Sequence, residues 1–400
     1  MSRQNPAPRQ TGGPLRRMRP SNIVLLALLP LVVYIFVSDL DYRAALRFLL
    51  PGLQYTITVT VLGYALAATL GLVFALLLLL KPGERTTRVY AIAAAAALAG
   101  GASFFLFTPD TQLALAGDAE GRVAIVRGTP GRITAQIQDG AYSEEAVERR
   151  FLSALDTEAA LAYLAEGRVA AVLLPPDEVP ADLPELWRFT FVPDSARNPG
   201  FLAIGLGVAL ALLAFAGWQT GEHPLAVFAE LYVDLIRGVP MLVVILFIGF
   251  VIPGALRDLT GGRIVIRHDL LRGVLAIAIG YAAYMAEIFR AGIEAIPKGQ
   301  IEAARSVGLT AGQTARYVTL PQAVRIVLPP LGNEFIAMLK DTALLSVIGV
   351  GDVTQKAREL GAATLNLFPP YNSAAVLYIV LTLAASSLLK SLERRTAWTR

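Results

Sequence analysis

Two small groups of polar residues interrupt long apolar runs. The first is Tyr281, Tyr284, Glu287 and Arg290, spaced by three, which places all four on one face of a helix. The second is Asn333, Glu334, Lys340 and Asp341. Ionisable groups inside a membrane span cost several kcal/mol unless they pair or line a wet cavity. A solute carrying both charges needs a cation near one end and an anion near the other, and these residues supply both. The plainer reading is that Glu287 and Arg290 form a salt bridge at one end of a span, with Lys340 reaching a membrane surface. Other chemistry is poorly represented. No Gly-Lys dipeptide occurs, so there is no phosphate-binding loop of the Gly-x-x-x-x-Gly-Lys-Ser/Thr type and ATP is not bound in the usual way. There is no cysteine, and His223 and His268 lie far apart, so no metal site, cofactor or catalytic group is expected.

The elements that must carry these residues are membrane helices. Apolar residues make up 55% of the 400-residue chain and charged ones 16%, against about a quarter charged in soluble domains. Several apolar runs approach the ~20 residues needed to cross ~30 Å of hydrocarbon. Eight spans are predicted: Asn22–Val37, Leu53–Leu80, Val89–Phe107, Phe201–Trp218, Leu231–Pro253, Leu271–Ile293, Val324–Val350 and Ser373–Leu389. Pro329-Pro330 is expected to break the seventh. Basic flanks set the orientation. Arg3, Arg9, Arg16, Arg17 and Arg19 precede the first span. Lys81, Arg85 and Arg88 follow the second, and Lys390, Arg394, Arg395 and Arg400 follow the last. With eight spans all three segments are cytoplasmic, together with the loop 294–325. Arg257, Arg263 and Arg267 run against this pattern on the other side. The basic tails carry no interleaved aromatics, so they fit anionic lipid and not nucleic acid.

Within the loop 294–325 lies Glu302-Ala303-Ala304, then Gly308 after three residues, then Val318-Thr319-Leu320-Pro321 after nine. Helix formers run from Ile301 to Val307, and Gly308 can supply a left-handed turn that ends the helix. Ala311–Val318 is predicted as a second short helix stopped by Pro321. Two short helices with small residues at the bend make a compact knob for a partner's groove. This pattern resembles the cytoplasmic coupling loop of ATP-binding cassette (ABC) importer permeases, with Val318 where Ile is usual. Ala282-Ala283-Tyr284-Met285-Ala286-Glu287-Ile288-Phe289-Arg290-Ala291-Gly292-Ile293, with Gly299-Gln300, makes it similar to the polar amino acid uptake branch. The resemblance covers roughly 49–80 and 226–392.

The resemblance implies an all-α polytopic membrane protein with the type I ABC importer transmembrane fold, multi-pass in a prokaryotic inner membrane. It implies a transport subunit and not an enzyme. The partners would be two ATPase subunits, a second permease subunit of the same or a similar chain, an extracytoplasmic amino acid binding protein and membrane lipid. Glu302, Ala303, Ala304, Gly308, Leu320 and Pro321 would face the ATPase. Tyr281, Tyr284, Glu287, Arg290, Asn333, Glu334 and Lys340 are the candidates for the solute path. Two other classes have distinct signatures. An ion-coupled secondary transporter would show paired inverted repeats, and a membrane-anchored extracytoplasmic sensor would carry a cytoplasmic signalling domain.

Residues 108–198 stand apart, with 15 acidic and 8 basic residues. The span count places them outside as a small α/β insert. Val123–Arg127 reads as a strand, Glu144–Leu155 and Glu158–Gly167 as amphipathic helices, and Val169–Leu174 as a buried strand. The segments from Arg122 to Thr129 and from Asp156 to Leu173 resemble one lobe of a periplasmic amino acid binding protein. In such a lobe a helix start meets a carboxylate through backbone amides, but Pro130 after Thr129 has no amide to give. A docking or packing module is the first reading, a ligand-binding lobe the second. The expected organisation is a basic tail 1–20, spans one to three in 21–107, the insert 108–198, a fourth span and link 199–225, the permease core 226–392 and a tail 393–400.

Overall fold

The computed structural model describes residues 30, 33–81, 85–141, 148–259, 266 and 268–396. Most of the predicted span Asn22–Val37, the N-terminal basic tail, Arg263, Arg267 and residues 397–400 lie outside them. The chain separates into two compact units, one from Met1–Leu80 with Leu225–Arg400 and one from Lys81–Pro224. Five described helices are long and apolar enough to cross a membrane, or six if one bent pair counts as a span.

Helix α1 (Leu40–Leu78) begins at Asp39, whose carboxylate accepts the amides of Asp41 and Tyr42. Helix α2 (Thr86–Leu106) opens the other unit and enters its α/β part. There follow β1 (Thr111–Gly117), β2 (Val123–Val126), α3 (Gly131–Gln138), β3 (Phe151–Ala154), α4 (Thr157–Ala165), β4 (Ala171–Leu174) and β5 (Glu185–Phe191). The strand order is β3-β2-β4-β1-β5, with β3, β2 and β4 parallel and β1 antiparallel to β4 and β5. The predicted helix over Glu144–Leu155 is corrected: residues 142–147 lie outside the described set, and Phe151–Ala154 is a strand paired with β2. A short apolar segment takes its state from its neighbour when a free strand edge is at hand.

Helix α5 (Asp194–Thr220) returns beside α2. Gly101 faces Ile204, Gly207 faces Leu98, and Phe105 and Phe201 meet edge to face at 5.1 Å. Since positions falling in α2 meet positions rising in α5, the pair is antiparallel.

The chain then re-enters the first unit through α6 (Pro224–Gly238), α7 (Met241–Leu246) and α8 (Ile252–Leu259), with a wide turn at Phe247–Val251. The predicted span Leu231–Pro253 is not one rod: its halves meet at a 111° bend. Pro240 offers no amide, and Val239 before it is pushed from the helical region. Next come α9 (Asp269–Glu294), α10 (Lys298–Ser306), α11 (Ala311–Thr314), α12 (Leu320–Asp341), α13 (Val353–Thr364) and α14 (Phe368–Thr396). Two expectations fail in α12. Pro329-Pro330 does not break it, and Pro321 does not stop a helix but sits in the first turn of the next. Proline is at home there, and membrane helices tolerate an interior proline where neighbouring groups re-satisfy the backbone.

The core of this unit is where α1, α9 and α12 meet, around Val59, Ile277, Tyr281, Met285, Val327 and Met338. Gly63 lies against Ile277 and Gly71 against Met285, so α1 and α9 run parallel in close contact. At the start of α1, Gly52 lies against the backbone of Asp352. Thr56 there accepts the amide of Val353 at 3.3 Å.

Candidate functional site

The exposed loop after α9 is built from local signals. Pro297 precedes α10, which carries Glu302, Ala303 and Ala304. The helix ends as its sequence requires: the amide of Gly308 donates to the Arg305 carbonyl at 3.0 Å and that of Leu309 to Ala304 at 3.2 Å. Gly308 has φ +88°, with no atom within 4 Å of where a Cβ would stand. The glycine is thus fixed by its backbone and not by crowding. Thr310 then caps α11 in a reciprocal box with Gln313, each side chain taking the other's amide at 3.3 and 2.9 Å. A wide turn over Ala315–Thr319 runs without a loop into α12, the Leu320 amide reaching back to the Ala315 carbonyl. Gln322 Nε2 donates to Gln300 Oε1 at 2.6 Å and ties α10 to the foot of α12.

Glu302, Ala303, Gly308, Leu320 and Pro321 are exposed, whereas Ala304 is buried and packs inward. Val307, 79% exposed, and Tyr317, 64% exposed, add apolar surface to the same knob. Both were passed over in the sequence, where an isolated Val or Tyr in a loop carries no signal.

The second site lies between α9 and α12. Tyr281 is buried, and its hydroxyl donates to Asp341 Oδ2 at 2.7 Å. The Tyr284 ring lies 6.1 Å from that of Tyr281, and the Arg237 guanidinium stands 5.9 Å from the Tyr284 ring. Tyr64 of α1 donates to the Leu331 carbonyl at 3.0 Å and meets Phe335 edge to face. Glu334 is half-buried in the same turn of α12, whereas Asn333 and Lys340 are exposed. Glu287 and Arg290 bind each other at 2.6 and 3.3 Å, and Arg290 also lies 3.9 Å from Glu294. They occupy the last two turns of α9, at the end that leads into the exposed loop. Arg237 is the member that the sequence did not single out, and the pairing of Asp341 with Tyr281 is not visible from spacing within one helix. Each meets its tyrosine from a different element.

This arrangement offers a carboxylate, a half-buried acid, aromatic hydroxyls and a cation along a membrane helix, with an exposed knob at that helix's end. Residues 203–398 match the family model described as the binding-protein-dependent transport system inner membrane component. The glutamine transport system permease protein GlnP of Escherichia coli (strain K12) is 39% identical over 199 residues, which cover 48% of this chain and 86% of that protein. The arginine transport system permease protein ArtQ of Bacillus subtilis (strain 168) is 35% identical over 190 residues, covering 48% and 82%. A crystal structure of an amino acid ABC transporter with histidines is 45% identical, over 43% of this chain and 77% of that one, with a TM-score of 0.38.

Proposed function

The chain belongs to the family of binding-protein-dependent transport system inner membrane components, and on that premise we propose that its solute is a polar amino acid. It is the permease subunit of an ABC importer in the inner membrane, and it carries no ATPase of its own. ATPase, binding-protein and permease partners follow from the family. The finer stoichiometry proposed is two ATPases, with a second permease subunit identical or similar to this one.

The observation that carries the coupling role is the exposed knob over residues 298–321, shaped by Gly308 and the Thr310 cap. Glu302, Ala303, Leu320 and Pro321 present its surface and Ala304 packs it from within. Closure of the ATPases on ATP would move the knob. Because the wide turn and the Gln300–Gln322 bond join it directly to α12, the membrane helices would rock with it and open the path outward. The substrate class is supported by Tyr281, Asp341 and Glu334, and by the relatives named for glutamine and arginine. Asp341 and Glu334 would face an ammonium, and Arg237 beside Tyr284 a carboxylate.

The test is uptake by proteoliposomes holding this chain with an ATPase and a binding protein encoded beside it. ATP-dependent accumulation of one amino acid, with competition only from other amino acids, is the expected result. Accumulation of a sugar or an inorganic ion in its place would overturn the substrate class.

A further inference from the structure

Neither the coupling knob nor the solute path uses the helix pair α2 and α5. Their contacts fix its register: Gly101 faces Ile204 and Gly207 faces Leu98. Toward the start of α2 the pair opens around a cavity of about 400 Å³. Alanines line it from both sides, Ala91, Ala94 and Ala95 of α2 with Ala211 and Ala214 of α5. Phe215 and Trp218 border it, 56% and 70% exposed, with ring centroids 6.2 Å apart. Only 11% of the α2 span is buried within the chain, so the groove is open to the bilayer.

An open apolar groove on a span is filled by lipid or by another helix, and its length separates the two. From Thr87 to Leu98 the axis rises about 16 Å at ~1.5 Å per residue, half of the ~30 Å hydrocarbon layer. A partner helix crosses the whole layer and needs a groove along the whole span. Beyond Leu98 this pair is closed, with Ile204 against Gly101 and Phe105 against Gly200. An acyl chain of one leaflet stops near the bilayer centre, as the groove does. The mouth has the charge for a headgroup. It opens in the first turn of α2, where the segment 81–88 holds Lys81, Arg85 and Arg88 against one acid, Glu84, which lies outside the described residues. Arg88 stands three residues before Ala91 and seven before Ala95, on the same flank of the helix. It is exposed, and no ion pair engages it among the described residues. Glu222 does not balance it. Gly217 lies against the Glu222 carbonyl and Tyr90 meets His223 at 6.2 Å, and neither Gly217 nor Tyr90 lines the groove. By the register of Leu98 with Gly207, Trp218 stands level with Thr87, where tryptophans sit at a membrane interface with the indole N–H toward the headgroups.

We propose that this groove binds a phospholipid with an anionic headgroup, drawn from the leaflet at the basic end of α2, which faces the cytoplasm. One acyl chain lies over the alanines beside Phe215 and Trp218 and ends against Leu98. The phosphate meets Arg88, and the Trp218 indole donates to a headgroup or ester oxygen. Arg85 and Lys81 favour a net negative headgroup over a zwitterionic one, whose ammonium they repel. Attraction of basic tails to a membrane surface selects no single molecule, whereas a groove one chain wide does. The site is independent of which solute the permease carries.

The experiment is native mass spectrometry of the full chain in detergent, titrated with phosphatidylglycerol and separately with phosphatidylethanolamine of the same acyl chains. Phosphatidylglycerol is expected to be retained the more tightly, by about fivefold or more, and Arg88→Gln should weaken it about fivefold. Ala91→Leu together with Ala95→Leu fills the groove from two exposed positions and should weaken it about tenfold or more. Ala96→Leu adds the same bulk about 100° round the helix, at an exposed position outside the groove, and should change nothing. Unaltered thermal unfolding of the variants shows that the helix pair is intact. Equal retention of the two lipids, or indifference to Arg88→Gln, overturns the proposal. So does an equal loss in Ala96→Leu, which would mean annular lipid contact only. A change of oligomeric state in the groove variant, with lipid retention unaltered, would assign the groove to another helix and overturn it as well.

Discussion

A Cβ added at Gly52 would stand 2.7 Å from the carbonyl oxygen of Asp352, whereas one added at Gly128 would meet nothing within 4 Å. Yet Gly128 has φ +102° and Gly52 is ordinary helix. Helix α1 and the α/β part of the other unit use the same residue for opposite ends. Along α1, glycine lets another segment come close, as Gly63 does for Ile277 and Gly71 for Met285. Lipid tails are as apolar as leucine, so helices in a membrane gain mainly from close backbone approach. The α/β part of the insert buries Leu115, Val123, Leu173 and Phe189 in the manner of a water-soluble core and keeps glycine for turning the chain. Gly308 belongs to the permease unit but behaves like Gly128, turning the chain where nothing crowds it.

The comparison is most exposed at Gly52. Gly52→Val would push against backbone on both sides of the Thr56–Val353 bond, and neither can yield as a side chain would. A loss of about 1–3 kcal/mol is expected, read as a lower unfolding temperature and an earlier loss of monodispersity in detergent. Full tolerance would break the close-approach account.

Next in size is Tyr281→Phe, which leaves Asp341 without its donor in a poorly hydrated place. About 1–3 kcal/mol is at stake, and uptake should fall about tenfold while the ATPase still docks. Uptake at the wild-type rate would remove Tyr281 and Asp341 from the solute path.

Gly308 sharpens the comparison from the other side. Gly308→Ala costs about 1 kcal/mol of backbone strain with no clash, so expression and insertion survive and coupling suffers. Gly308→Asp is expected to be worse, because its charge must be desolvated on docking. The measure is ATP hydrolysed per solute carried in proteoliposomes. Wild-type coupling in Gly308→Asp would mean this loop does not transmit the stroke.

Smaller still is deletion of Val89–Trp218, which removes an even number of spans and preserves orientation. The maximal uptake rate should stay within roughly twofold. Complete loss of transport in a normally assembled complex would make the insert part of the transport path.

The least effect is expected at Glu185. The hydrogen-bonded Arg188 guanidinium holds its carboxyl below the usual range. That stabilisation is present above the ordinary carboxylate pKa and lost as pH falls through the lowered one. The pair is fully exposed, so Glu185→Gln should leave the acid-unfolding curve of the chain where it was.

What the sequence disclosed was whatever depends on near neighbours. The turn at Gly308 and the helix before it follow from residues within a few positions, and so does the pairing of Glu287 with Arg290. What it hid depends on distant partners. Phe151–Ala154 follows a helix-forming run and becomes a strand only because β2 offers an edge. Thr111–Gly117 continues the Ala- and Leu-rich composition of the helix before it, so β1 carries little contrast of its own. Asp341 could be seen as an interruption of an apolar run, but its donor lies sixty residues upstream. The bend at Val239-Pro240 was masked by hydropathy, which counts valine and leucine and overlooks that proline lacks an amide.

The wide turn at Ala315–Thr319 carries one residue more than an α-helical turn, since the Leu320 amide reaches the fifth carbonyl back and not the fourth. One residue corresponds to about 100° of rotation about a helix axis. The length of this turn therefore sets the azimuth at which α10 and α11 are held around α12. A single deletion there would keep Glu302, Ala303 and Val307 and aim them about a quarter-turn away from their groove.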